Sequence, residues 1–129
     1  MEINHTDLMA FKMGVLSPHK WVVLDVDKDM DILFFSEKWP GYEGGLKMWL
    51  MFVHHAPQKY ANYQYLSEMF LLEFTKDGEY FHFETNKKFS SPNGSGDSLE
   101  VPLSSKDSEW HKPRPGSHVN LLISMVLKK

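Results

Sequence analysis

The chain contains no cysteine, so a disulfide framework and thiolate chemistry are both excluded. Arginine is almost missing: Arg114 is the single arginine among 14 basic residues. Proteins that grip nucleic acid usually carry a basic patch with arginine for phosphate or guanine, and this footprint is absent. No apolar run approaches the roughly 20 residues that a membrane-spanning helix needs. Met1 leads into Glu2, Asn4 and Asp7, with no basic region followed by an apolar run, so no secretory signal is read. These absences lead to the expectation of a cytoplasmic protein that binds neither nucleic acid nor membrane. The motifs of familiar chemistry are missing as well. There is no HExxH or similar metal-ligand spacing among the seven histidines, and Asn93-Gly94-Ser95-Gly96 lacks the lysine and following helix of a phosphate loop. No cofactor and no metal is expected.

What is present is a chain of 129 residues, 42% hydrophobic and 14% aromatic, enough to build one domain over residues 1–129 with a real core. Its organising stretch is Met69–Thr85. Asp77-Gly78 sits between two apolar-aromatic runs, a strong hairpin signal that predicts a two-residue turn with both central residues at positive φ. In that register Phe74 faces Phe81 and Leu72 faces Phe83. Phe70, Leu72, Phe74, Phe81 and Phe83 then share one face as a core wall. Leu71, Glu73, Thr75, Tyr80, His82 and Glu84 share the other, which is read as the outward polar face. A one-residue slip would mix polar and apolar groups on both faces, and the cleaner segregation fixes the choice.

Residues 4–14 read as a short helix, capped by Asn4 or Thr6 and stopped at Gly14. His19–Val26 and Asp31–Ser36 read as antiparallel strands around a turn at 27–30. Their near-continuous apolar runs suggest burial on both faces. Leu46–His54 fits either a strand or a buried helix, and Gly44-Gly45 before it tips the reading to strand. Tyr60–Leu66 reads as extended, Ser90–Ser98 as a surface loop, Leu99–Ser104 as an edge strand or a poor strand because of Pro102, and His118–Leu127 as a closing strand. The fold class expected is α+β: a strand-dominated twisted antiparallel sheet of about six to eight strands with one short N-terminal helix.

Two constellations stand out. Asp25, Asp27, Asp29 and Asp31 alternate as in a calcium loop, yet Met30 stands where the sharp turn needs glycine and Ser36 where a bidentate glutamate belongs. Residues 25–43 carry six acids against two lysines, and Trp39 and Tyr42 lie among them. Asp25, Asp27, Asp29, Asp31, Glu37, Trp39, Tyr42 and Glu43 are therefore the candidate partner-binding residues: acids to steer a basic partner, rings to anchor it. In size, acidity and lack of catalytic motifs the chain resembles bacterial toxin-neutralising immunity proteins and phage-type inhibitors. That resemblance implies a non-catalytic protein that binds and neutralises or regulates another protein, with a basic toxin or enzyme as partner. The second constellation is Glu73, His82 and Glu84 on the polar face. A carboxylate beside an imidazole can orient it for general-base work, so these three are the candidate residues of the competing reading, an enzyme or small-molecule binder. No nucleophile or oxyanion device accompanies them. A third expectation is a homo-oligomerising structural subunit seamed along Leu99–Ser104 or His118–Leu127.

Overall fold

The two longest strands, β4 (Leu46–Tyr60) and β5 (Tyr63–Phe74), form the spine of the molecule in a computed structural model that describes residues 21–92, 94 and 96–128. Met48–Val53 of the first and Met69–Leu72 of the second are unbroken apolar runs, which is how a strand covered on each face reads. The short link Ala61-Asn62 joins them, with Ala61 at φ 53. Around this pair lie β1 (Trp21–Val26), β2 (Met30–Phe35), β3 (Trp39–Pro40), β6 (Phe81–Phe89) and β7 (Ser98–Val101). They make one antiparallel sheet in the order β1-β2-β4-β5-β6-β7, and β3 shares with β2 the same side of β4. Two helices follow, the single turn α1 (Ser105–Ser108) and α2 (His118–Leu127). No helix among the described residues is long and apolar enough to cross a membrane.

The sheet is buried on both faces. One face carries Ile32, Phe34, Met48, Leu50, Leu72 and Phe74, against which Val119, Leu122, Ile123 and Val126 of α2 are packed. Phe52, Phe70, Phe83 and Phe81 continue that wall as a chain of ring contacts at 4.9–5.7 Å. The other face carries Trp21, Leu33, Met51 and Val53, with Trp49 and Met69 beside them. The apolar runs of β1 and β2 follow from this double covering.

The central hairpin keeps the expected pairings Phe74–Phe81, Glu73–His82 and Leu72–Phe83, but the turn differs. Thr75 and Tyr80 close a four-residue loop: Thr75 N–H donates to the Tyr80 carbonyl at 2.9 Å, and Gly78 N–H to the Thr75 carbonyl at 2.9 Å. Gly78, at φ 74, is the only residue of this turn in the left-handed region, so a turn with positive φ at both Asp77 and Gly78 is corrected. Two-residue and four-residue loops leave the same pairs opposite, which is why the register survives. Beyond Leu72 the register shifts: Leu71 faces Thr85, and Glu84 is the extra residue of a β-bulge.

Residues 118–127, expected as a strand, are a helix. Val119, Leu122, Ile123, Val126 and Leu127 fall on one helical stripe, while Ser117 caps its start by accepting from Asn120 N–H at 3.1 Å. The helix expected over 4–14 lies outside the described residues. Pro57 stands in the interval from Val53 to Gln58 where the β4–β5 pairing is interrupted, as a residue without an N–H requires.

Candidate functional site

Glu73 and His82 face each other across β5 and β6, and their side chains meet at 2.6 Å between Oε1 and Nε2. The pair was expected to look outward; instead it is enclosed, with Glu73 only 4% exposed. Two segments do the covering. The turn at Tyr42–Gly44 sends Tyr42 N–H onto Glu73 Oε2 at 2.6 Å. This approach depends on Gly41, where a Cβ would stand 2.8 Å from that same oxygen. From the other side the Trp110 ring lies 4.3 Å from the His82 ring. Trp110 is brought there by the 109–112 segment, whose His111 exchanges both backbone hydrogen bonds with Phe81 at 2.8 Å.

Glu84 joins the pair through the bulge. In the unbroken register it would oppose Leu71; as the extra residue it is freed from cross-strand pairing. One donor atom each from Glu73, His82 and Glu84 lies within 4.8 Å of the others. Lys47, opposite Glu73 on β4, holds Glu84 with Nζ at 2.7 and 3.0 Å from its two oxygens. Burial pushes the Glu73 carboxyl up, but the hydrogen bonds from His82 and from Tyr42 N–H outweigh it and hold the group below the ordinary carboxylate range. His82 Nδ1 is buried and has no hydrogen-bond partner among the described residues.

Beside this cluster opens a cavity of about 780 Å³, walled by Tyr42, Tyr80 and Trp110 with Glu43, Asp77 and Lys76 at its margin. Tyr42 is 65% exposed, and Trp39, Tyr80 and Trp110 are each exposed by about two-fifths. Trp39, on β3, stacks on Phe35 at 6.2 Å with planes 10° apart. Exposed aromatics from three separate segments thus gather at one end of the sheet.

The acids of the first hairpin lie at the opposite end. Met30 pairs with His54 and Trp39 with Lys47, so the two regions stand about 23 Å apart along β4 at ordinary strand rise. The eight candidate partner-binding residues therefore divide into two groups. Glu37, Trp39, Tyr42 and Glu43 belong to the aromatic end. The aspartates belong to the hairpin tip, and three of them serve the fold. Asp27 accepts from the N–H groups of Asp29 and Met30 at 2.7 and 3.0 Å, which fixes the turn and holds its carboxyl below the ordinary value. Asp31 meets His55 at 3.0 Å, and Asp25 meets His118 of α2 at 3.0 Å. Asp29 lies in the exposed turn between them.

Sequence reasoning overlooked Lys47 and Trp110 as site residues. Lys47 carried a signal once β4 was placed next to β5, since it stands in the same cross-strand row as Glu73. Trp110 carried none, because its position depends on a bridge between residues 81 and 111. Comparison with protein-family models, with curated proteins and with solved structures finds no match.

Proposed function

We propose that the protein works without catalysis, by binding and occluding a basic partner protein such as a toxin or enzyme, through the aromatic end of its sheet. The observation that carries this reading is the gathering of four solvent-exposed rings at one end of the sheet: Tyr42, Tyr80 and Trp110 line one cavity, and Trp39 stands at the same end opposite Lys47. Rings that are flat, stiff and half apolar are the residues that dominate binding energy at interfaces. The segments that present them carry Glu37, Glu43, Asp77, Glu79 and Glu109 against Lys38, Lys76 and Lys112, a small acidic excess, and Lys112 already lies 5.9 Å from the Tyr80 ring centroid, as a partner's lysine or arginine would over the other rings. The aspartates at the far hairpin tip contribute long-range attraction, which sets the rate of encounter more than the final affinity.

The experiment is capture of the partner from the native host, followed by calorimetry with variants. Tyr42→Ala removes a side chain that packs into no core, so the fold should persist. An anchor of about 2 kcal/mol corresponds to a roughly 30-fold weaker Kd. If Tyr42→Ala and Trp39→Ala both bind the captured partner as tightly as the parent chain, the aromatic end is not the contact surface.

A second reading is supported by the convergence of Glu73, His82 and Glu84 on one another: a small-molecule binder or enzyme acting at that cluster. It requires a turnover or a ligand affinity that His82→Ala abolishes in a chain that still folds.

A further inference from the structure

We infer that Glu73, His82 and Glu84 form a binding site for one divalent first-row transition ion of the zinc or manganese class. This goes beyond the partner-binding reading and does not depend on it. Three features of the fold converge on it.

The first is the donor set. One imidazole nitrogen and two carboxylate oxygens lie within 4.8 Å of one another. Around a tetrahedral ion with ligand bonds of about 2.0–2.2 Å, donor atoms stand about 3.3–3.6 Å apart. The Glu73–His82 contact of 2.6 Å therefore has to open by under ~1 Å, and a donor pair at the 4.8 Å limit has to close by ~1.3 Å, both within the reach of side-chain rotation. The mixture of nitrogen and oxygen favours zinc, manganese, iron or cobalt over the all-oxygen preference of calcium and magnesium.

The second is that the donors are positioned by the backbone. Glu73 is clamped at Oε2 by Tyr42 N–H, which leaves Oε1 to face His82. The His82 ring is held by Trp110. Glu84 is turned to the cluster by a β-bulge, a device that costs regular pairing and that recurs next to functional sites.

The third is charge. Two carboxylates converge, and the cation standing among them is the Lys47 ammonium on Glu84. Lys47 is 30% exposed at its side chain, so it can swing to solvent when an ion arrives. The ion would replace the Glu73–His82 hydrogen bond and the Lys47–Glu84 ion pair with three ligand bonds. Three protein ligands leave at least one coordination position for water or for a ligand.

The buried Nδ1 of His82, without a partner among the described residues, sets the expected strength. Histidines that ligate metals usually donate their second N–H to an acceptor, and loss of that support costs about 10–100-fold in affinity. A micromolar rather than nanomolar Kd is therefore expected.

The test is calorimetry of the full chain, stripped with a chelator, against zinc chloride, and separately against manganese and magnesium chloride. One zinc per chain with a micromolar Kd is expected, and magnesium should not compete at equal concentration. Glu84→Ala should weaken zinc by about tenfold or more, while the Tm of the zinc-free protein stays close to that of the parent chain. Lys47→Ala removes the competing ammonium and should tighten zinc binding. That gain would not arise if zinc sat on any of the other six histidines of the chain. Zinc affinity unchanged in both variants, or no saturable binding below millimolar zinc, would overturn the site.

Discussion

Two polar clusters on opposite faces of the same sheet use the same residue types to different ends. On one face Glu73 meets His82, with Lys47 nearby on Glu84. On the other, toward the far end of β5, Glu68 meets His54 at 2.8 Å and Lys88 at 2.8 Å. The Glu68 cluster is closed. Its carboxylate takes Lys88 and Asn86 on one oxygen and His54 on the other, and Lys88 also donates to Asn86 Oδ1 at 2.9 Å and lies 4.5 Å from the Tyr65 ring centroid. The Glu73 cluster is open: His82 Nδ1 has no hydrogen-bond partner among the described residues, and a cavity lies beyond Trp110. A carboxylate beside a histidine does not mark a site by itself. What separates a structural tie from a candidate site is whether hydrogen-bonding capacity is left over once the fold has used what it needs.

The largest effect should follow from breaking the closed cluster. Lys88→Ala removes one partner of a buried pair and leaves Glu68 with His54 and Asn86 alone. Removing one partner of a buried ion pair typically costs about 3–5 kcal/mol, and the surviving partners place this one near about 3 kcal/mol, readable by urea unfolding. The pH dependence sharpens the prediction. Burial pushes the Glu68 carboxyl up, but Lys88 and His54 bring it below its ordinary 4.5. A depressed carboxylate pKa contributes stability that is complete above 4.5 and is lost as pH falls through the folded-state value. The gap between the parent chain and Lys88→Ala should therefore be widest above pH 4.5 and narrow below it. A gap that stays constant from neutral to acid would mean that Lys88 acts through packing and not through Glu68.

The open cluster should yield less to the same treatment. His82→Leu keeps an apolar body beneath Trp110 and removes the bond to Glu73, which retains Tyr42 N–H. Loss of a hydrogen bond to a charged group costs about 1.5–3 kcal/mol, so this variant should unfold at a higher urea concentration than Lys88→Ala. The reverse order would mean that the Glu73 pair, and not the Glu68 network, holds the sheet together.

The two clusters also differ in how far the sequence disclosed them. Glu73 facing His82 was legible because the Asp-Gly turn and the alternation of phenylalanines fix a register whose parity is indifferent to loops of two or four residues. The closed cluster was not, since its partners come from β4, β5 and β6, and placing Lys88 opposite Glu68 requires the bulge at Glu84, which no local signal announces. The C-terminal element shows a different ambiguity. Val119, Leu121, Ile123, Met125 and Leu127 satisfy a strand, whereas Val119, Leu122, Ile123, Val126 and Leu127 satisfy a helix, so hydrophobic periodicity alone cannot decide. The deciding signals were Ser117 as cap and Pro115-Gly116 as a break ahead of it. The exposure of Trp39 and Tyr42 was legible from the Pro-Gly-rich loop. The separation of the acidic tip from those rings was not, because it depends on β2 and β3 sharing one side of β4.

A third carboxylate–histidine pair supplies the weak limit of the comparison. Asp25 and His118 meet at 3.0 Å, a little longer than Glu73 and His82, but their side chains are 46% and 40% exposed against 6% and 15%. Water competes for both groups and salt screens them, so an exposed pair contributes about 0–1 kcal/mol. Asp25→Asn should accordingly shift the unfolding free energy by less than about 1 kcal/mol, and the shift should fade when sodium chloride is raised toward ~1 M, where the Debye length falls to about 3 Å. His82→Leu should be nearly indifferent to the same salt, because its partner is shielded by Tyr42 and Trp110. If instead Asp25→Asn proves as costly as His82→Leu, the tie between β1 and α2 is a principal support of the fold, and burial is not what ranks these pairs.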